Sequence, residues 1–411
     1  MRRIFFYILP VFLTENLWSQ SAVLEKIVLY GNTRTKNHVI LRELDTKEGS
    51  LFSNTLLLKD RAWLLRLDFL KRIEFQLKPG SAKDRHYLLL VVQEKGPWSV
   101  SPILNNNDLF GWYAGCQFTH RNLWGRRQQI DAAFQFGGIQ RYSLSWNYPW
   151  FGGKHRLFAS LDLYHTSFQY LYHDSPSSFL EKNMGVKITL GKGFGRNLRI
   201  GFRPGMDRFW SDTPEVTFSK THVDDIAFFE CFATFDSRDW PLYPRTGLYL
   251  QSGMQWFGVF QPHQFQKTIF DFRFYSPIYH DNILALDTYL EFSQGPIPVY
   301  QRIHLGGGKT IRGYSTGFLS GENGFFTSLE YRFPIFYERN PLAGINVGYA
   351  GVVFIDTGSA WYHHQTLKLT MLHTSFGLGL HAIWDRWVFR AEYGNHGTGW
   401  GFINLSTGLK F

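Results

Sequence analysis

The chain of 411 residues has only two cysteines, Cys116 and Cys231. Neither has a neighbour at metal-ligand spacing; both read as small strand residues, and they leave the redox compartment open. Beyond the N-terminus no apolar run approaches the length of a spanning helix, which argues against a helical membrane protein. The net charge is +10, yet there is no compact Lys/Arg block after the first residues, so a nucleic-acid partner is not expected. Paired nucleophile and base are missing too. The fifteen histidines are scattered, and the letters of a nucleophile elbow in "GYSTG", residues 313–317, lack a surrounding buried α/β sheet. In "HLGGGKTIRGY", residues 304–314, Gly-Lys-Thr suggests a phosphate cradle, but the first P-loop glycine would fall at Ile303. The sequence therefore predicts no enzyme, no cofactor and no metal.

What is abundant is aromatic and small. Aromatic residues make up 18%, with 39 Phe, 21 Tyr and 14 Trp, and there are 39 glycines. The mean hydropathy is only −0.22. Rings and glycines without a long apolar run favour strands. In water this is a large β-protein; in a membrane it is a barrel, whose strands signal by alternation.

The first twenty residues carry Arg2 and Arg3, then an apolar run from Ile4 to Leu13 that is too short to span a bilayer. This predicts a signal peptide over residues 1–20 and a mature chain outside the cytoplasm.

Residues 21–97 read as a small α/β unit. "VLEKIVLY" is a strand and "GN" a turn. Thr35 is placed to cap a helix carrying Val39, Ile40 and Leu44, and a second helix runs from about Ser53 to Asp68. "RIEFQL" and "HYLLLVVQE" are two further strands. The order is β-α-α-β-β. With Gly31-Asn32 after the first strand, Gly49 between the helices, Leu70 and Ile73 entering the second strand and "VVQE" closing the third, it resembles a POTRA domain.

From Trp98 the period becomes two. In "GFFTSLEYRFPIFY", Phe325, Thr327, Leu329, Tyr331 and Phe333 share one face, and Phe326, Ser328, Glu330 and Arg332 the other. "YSLSWNY", "IFDFRFY" and "LALDTYLEF" alternate likewise, which is the pattern of a membrane barrel, apolar outside and polar inside. Residues 98–411, at roughly 20 residues per strand with its connection, give about sixteen strands. The last strand ends "STGLKF". Its Gly408, Leu409 and terminal Phe411 resemble the C-terminal signal of bacterial outer-membrane barrels.

These features together resemble the BamA/TamA-type assembly factors and two-partner-secretion transporters, the bacterial surface antigen superfamily. The shared motifs are Ile311-Arg312-Gly313-Tyr314, the acidic Phe354-Ile355-Asp356-Thr357-Gly358, "LEYRFP" and "DSRDWPLYPRTG". The resemblance implies a mainly β fold: one periplasmic POTRA domain before a sixteen-stranded antiparallel transmembrane barrel. A loop around 304–324 folds into the lumen. An arginine held there needs a carboxylate. Arg312 is therefore expected to contact Asp356, with Glu330 nearby, while Gly306, Gly307, Gly308 and Gly313 let the loop approach the wall. The implied function is insertion or translocation of other proteins without ATP. The POTRA third strand or an edge strand receives substrate by strand addition, and the first and last barrel strands pair weakly. Implied partners are the outer-membrane bilayer, unfolded outer-membrane or secreted proteins, and periplasmic chaperones or accessory proteins. A passive conduit for small solutes or lipid stays open as the alternative.

Overall fold

The computed structural model describes residues 22–67, 69–170, 178–340, 345–384 and 387–407. The expected signal peptide and Gly408, Leu409 and Phe411 lie outside the described residues.

The N-terminal unit is a three-stranded sheet covered by two helices. Its strands are β1 (Val23–Tyr30), β2 (Leu70–Pro79) and β3 (Arg85–Glu94), and its helices are α1 (Asn37–Leu41) and α2 (Asn54–Arg66). The sheet order is β1-β3-β2, with β1 parallel and β2 antiparallel to β3. Leu88, Leu90 and Val92 alternate inward from β3 and meet Leu57 and Leu64 of α2 in one buried cluster. Ser53 caps α2 by accepting from the Leu56 N–H at 3.3 Å.

Two expectations are corrected here. Thr35 does not cap α1: the N-cap position falls on Lys36, with no side-chain cap. The Thr35 hydroxyl is engaged instead by the Glu94 carboxylate, which also accepts the Thr35 N–H at 2.7 Å. And β3 cannot receive a new strand, because both of its edges are paired. The outer edge of β1 is partly covered by the segment between the helices, through Leu24 N–H to Ser50 O and Gly49 N–H to Leu24 O. The outer edge of β2 pairs with no strand among the described residues.

The barrel begins with β4 (Trp98–Asn107), β5 (Gly111–Leu123), β6 (Gln128–Gly137) and β7 (Ile139–Phe151). It continues through β8 (Leu157–Tyr170), β9 (Phe179–Phe194), β10 (Leu198–Ser211) and β11 (Val223–Asp236). Then come β12 (Gly247–Phe257), β13 (Phe265–Pro277) and β14 (Ile283–Gln294). A short hairpin of β15 (Ile303–Leu305) and β16 (Leu319–Gly321) interrupts the wall. The wall resumes with β17 (Asn323–Asn340), β18 (Ile345–Trp361), β19 (His373–Trp384), β20 (Trp387–Asn395) and β21 (Phe402–Thr407). Sixteen antiparallel strands close into a barrel.

Side chains sort by strand parity. Leu144, Phe270, Phe274, Leu329 and Phe333 are exposed on the outer face, while Ser328, Glu330 and Arg332 are buried inside. Trp98, Trp384 and Trp387 stand exposed at the end nearer the N-terminal unit, as an interfacial aromatic girdle requires. Adjacent strands mostly pair over long stretches; β17 and β18 run from Asn323–Trp361 to Asn340–Ile345. The closing seam differs. Among the described residues β21 and β4 share one registered pair, Leu405 with Asn106.

The helical side of the N-terminal unit docks against the near-end turns of the barrel. Arg42 donates to Trp150 O at 2.9 Å and lies over its ring. Arg127 pairs with Glu43 at 2.9 Å. Arg196 pairs with Asp60 and, at 3.1 Å, with Asp45. Arg66 of α2 pairs with Asp236 at 2.9 Å. Asn122 donates to Thr35 Oγ1 at 2.6 Å.

Candidate functional site in the barrel lumen

The segment between β14 and β17 leaves the far end of the barrel and folds back inside. Its hairpin is registered Ile303–Gly321, His304–Ser320 and Leu305–Leu319. The intervening loop tightens on itself. Thr310 Oγ1 accepts from the Gly306 N–H at 2.7 Å and donates to the Gly306 carbonyl at 2.9 Å. Gly306 and Gly307 have φ of +119° and +80°. A Cβ on Gly306 would lie 2.0 Å from Ser315 O, so only glycine fits. Gly308 packs against Asn404 of β21. Ile311 is buried with Ile303, Leu305 and Phe326, which anchors the loop tip.

This places Arg312 at the wall, where it is completely buried. Its Nε and Nη2 donate to Asp356 Oδ2 and Oδ1 at 2.8 and 2.7 Å, and its backbone N–H reaches Asp356 Oδ2 at 3.0 Å. Nη1 donates to Glu330 at 2.6 Å and to Glu392 at 2.8 Å, and Nη2 to Ser328 at 2.9 Å. The guanidinium carbon stands 3.3 Å from the centre of the Phe354 ring. The planar fork suits this arrangement; an ammonium could not meet three carboxylates and a ring at once.

The surrounding charges balance. Arg332 pairs with Glu330 at 2.7 Å, and Arg390 is buried beside them. Three arginines, Arg312, Arg332 and Arg390, face three acids, Asp356, Glu330 and Glu392. Burial of such a cluster is tolerable only because the charges cancel.

The rest of the loop spans the wall. Gly313 N–H donates to Ser375 Oγ at 3.2 Å. A Cβ on Gly313 would come 2.4 Å from Ser375 Cβ and 2.8 Å from the Asn395 backbone. Tyr314 stacks on His396 with ring centres 4.7 Å apart. Asn404 of β21 donates to Arg312 O at 3.3 Å. On the other side of the seam, the Thr316 N–H and hydroxyl donate to Asp108, in the β4–β5 turn, at 2.9 and 2.6 Å. The loop thus touches both walls that meet at the seam.

The structure brings Arg312, Asp356 and Glu330 together. Sequence reading missed Glu392, Ser328 and Phe354 as arginine partners, and missed Asp108 and Asn404. Glu392 had a legible signal: in "WVFRAEYG" the exposed Trp387, Phe389, Ala391 and Tyr393 alternate with the buried Val388, Arg390, Glu392 and Gly394. Asp108 had none, because a contact 208 residues apart is set by barrel closure alone. Among the described residues no group of three His, Cys, Asp or Glu could hold a metal ion.

A closed sixteen-stranded barrel with an apolar outer band, carrying a POTRA domain at one end, is an outer-membrane protein whose POTRA domain lies in the periplasm. The chain belongs to the Omp85 superfamily: the Omp85 superfamily domain matches residues 122–399. The POTRA model, described as a surface antigen variable number repeat, matches residues 22–95. The outer membrane protein assembly factor BamA of Nitratidesulfovibrio vulgaris is 20% identical over 365 residues, covering 86% of this chain and 43% of its own length. The chain thus spans less than half the length of that relative. Among solved structures, CdiB from Escherichia coli has a TM-score of 0.68 at 12% identity, over 95% of this chain and 76% of that one. BamA from Haemophilus ducreyi lacking POTRA domains 1–3 has a TM-score of 0.61 at 14% identity, over 94% and 84%. These two likenesses concern the fold.

Proposed function

We propose that this protein inserts or translocates other proteins at the outer membrane without ATP, and that its seam is where the substrate strand is templated. The observation that carries this reading is that, among the described residues, β4 and β21 share a single registered pair, Asn106 with Leu405. A barrel strand edge with few ladder bonds exposes N–H and C=O groups, and these can pair with an incoming strand. Leu104 N–H to Thr407 Oγ1 and Thr407 N–H to Asn105 Oδ1, both 3.3 Å, substitute weaker side-chain bonds for ladder bonds. The open edge of β2 in the POTRA domain offers a first docking strand in the periplasm. Arg312 acts as a latch that holds the plug loop across both sides of the seam. Substrates are unfolded outer-membrane or secreted proteins, and periplasmic chaperones or accessory proteins deliver them.

The alternative of a passive conduit is disfavoured by the loop residues Ile303, Leu305 and Ile311, buried with Phe326 of the wall, and by Tyr243 of the β11–β12 turn, buried against Ala350, Ile383 and Val388. The test is reconstitution of the purified protein in liposomes with an unfolded outer-membrane barrel as substrate. Protease-protected product forming faster than in empty liposomes, and lost on deleting residues 23–95, is expected. No acceleration, together with steady conductance, would shift the assignment to a conduit.

A further inference from the structure

The periplasmic turn between β11 and β12, residues 237–246, has a place at both ends of a chain of contacts. At its start, Asp236 accepts from Arg66 of the POTRA helix α2 at 2.9 Å and from Arg238 through two bonds of 3.0 and 3.1 Å. The turn is rigid: Asp239 accepts the Arg245 N–H at 3.0 Å and its own N–H donates to Thr246 O at 3.0 Å. It carries Tyr243 into the lumen, where the side chain is buried with Ala350, Ile383 and Val388.

From Tyr243 two arms lead to Arg312. The hydroxyl lies 3.2 Å from His381 Nδ1, and His381 Nε2 lies 3.0 Å from Glu392 Oε1, the oxygen that accepts from Arg312. The ring of Tyr243 lies under Arg332, 5.0 Å from its guanidinium carbon, and Arg332 holds Glu330, the second acceptor of Arg312. From Tyr243 onward each contact is direct, and Tyr243, His381, Glu392, Arg332, Glu330 and Arg312 are all buried.

We propose that Tyr243 is a positioning residue that makes the seating of the Arg312 loop depend on docking of the POTRA domain. Moving α2 from Asp236 displaces the turn, the turn carries Tyr243, and both carboxylates that Tyr243 steers then shift relative to Arg312. In a close-packed interior such a shift has nowhere to dissipate. This coupling is a property of the free protein, so it can be read without any substrate and stands or falls apart from the transport reading.

The experiment is amide hydrogen exchange of the peptides covering residues 303–321 in detergent, for wild type, Arg66→Ala, Tyr243→Ala and the double variant. Arg66→Ala is expected to speed exchange of the loop roughly tenfold in the wild-type background and to add nothing in the Tyr243→Ala background. Should Tyr243→Ala fail to give a folded barrel, Tyr243→Phe replaces it; it removes the hydroxyl at His381 but keeps the ring under Arg332, so the rise caused by Arg66→Ala is then expected to shrink rather than vanish. Unchanged loop exchange in Arg66→Ala overturns the proposal. So does an equal rise in both backgrounds, since the coupling would then bypass Tyr243.

Discussion

Arg312 and Asp356 meet through two parallel N–H···O bonds of 2.7 and 2.8 Å across a sequence separation of 44 residues. The pair joins the tip of the plug loop to β18, and it is completely screened from solvent.

Arg312→Ala leaves Asp356, Glu330 and Glu392 without their shared cation. Its expected cost to the seating of the loop is about 3–5 kcal/mol, with the barrel still folded and liposome activity lost. Arg312→Lys keeps the charge but cannot bridge three acids, so it should recover the seating of the loop only in part and activity less. Full activity in the alanine variant, measured beside heat-modifiable gel mobility, would remove the latch from the mechanism.

The seam can be locked. In a Cys116→Ser, Cys231→Ser background, Asn106→Cys with Leu405→Cys joins the one pair of β4 and β21 registered among the described residues. Oxidation is expected to abolish accelerated folding of substrate, and reduction to restore it. Activity that persists in fully cross-linked protein means the substrate does not enter there.

Gly313→Ala tests close approach without touching charge. The added methyl meets Ser375 and the Asn395 backbone, for an overpacking cost of about 1–3 kcal/mol. Faster hydrogen exchange over residues 303–321 and reduced liposome activity are expected. Exchange equal to wild type would show that the wall yields.

Docking of the POTRA domain should weaken in acid. Burial pushes the Asp60 carboxyl up, but the Asp45 and Thr46 N–H groups and Arg196 outweigh it and hold its pKa below the usual value. Glu94 behaves alike: burial raises it, and bonds from Thr35, Arg34 and Thr33 bring it below the ordinary range. A lowered folded pKa gives stability that is complete above the usual carboxyl pKa, near 4, and is lost as pH falls through the folded value. Spin labels at Leu58 and Lys154 of cysteine-free protein should hold one distance at pH 7 and spread below about pH 4. An unchanged distribution at pH 3 would contradict this account.

Strand parity was legible wherever a face was uniformly apolar, as in Leu329, Tyr331 and Phe333 against Glu330 and Arg332. The POTRA order was legible from helix and strand periods. Thr35 was misread because a threonine before a helix is normally a cap; here Glu94, 59 residues away, claims its hydroxyl. The third POTRA strand was misread as an acceptor because sequence order says nothing about which strand lies in the middle of a sheet.

By itself the sequence determined the alternation that makes a barrel, the glycines that let a loop turn tightly, and an arginine that must find acids. Those are local consequences of side-chain period and burial. That Glu392 joins Asp356 and Glu330 around it, that Tyr243 stands between these acids and the POTRA helix, and that β4 and β21 share one registered pair among the described residues were decided only by closure of the barrel. Closure fixes the stagger of all sixteen strands together, and no local stretch of chain carries that information.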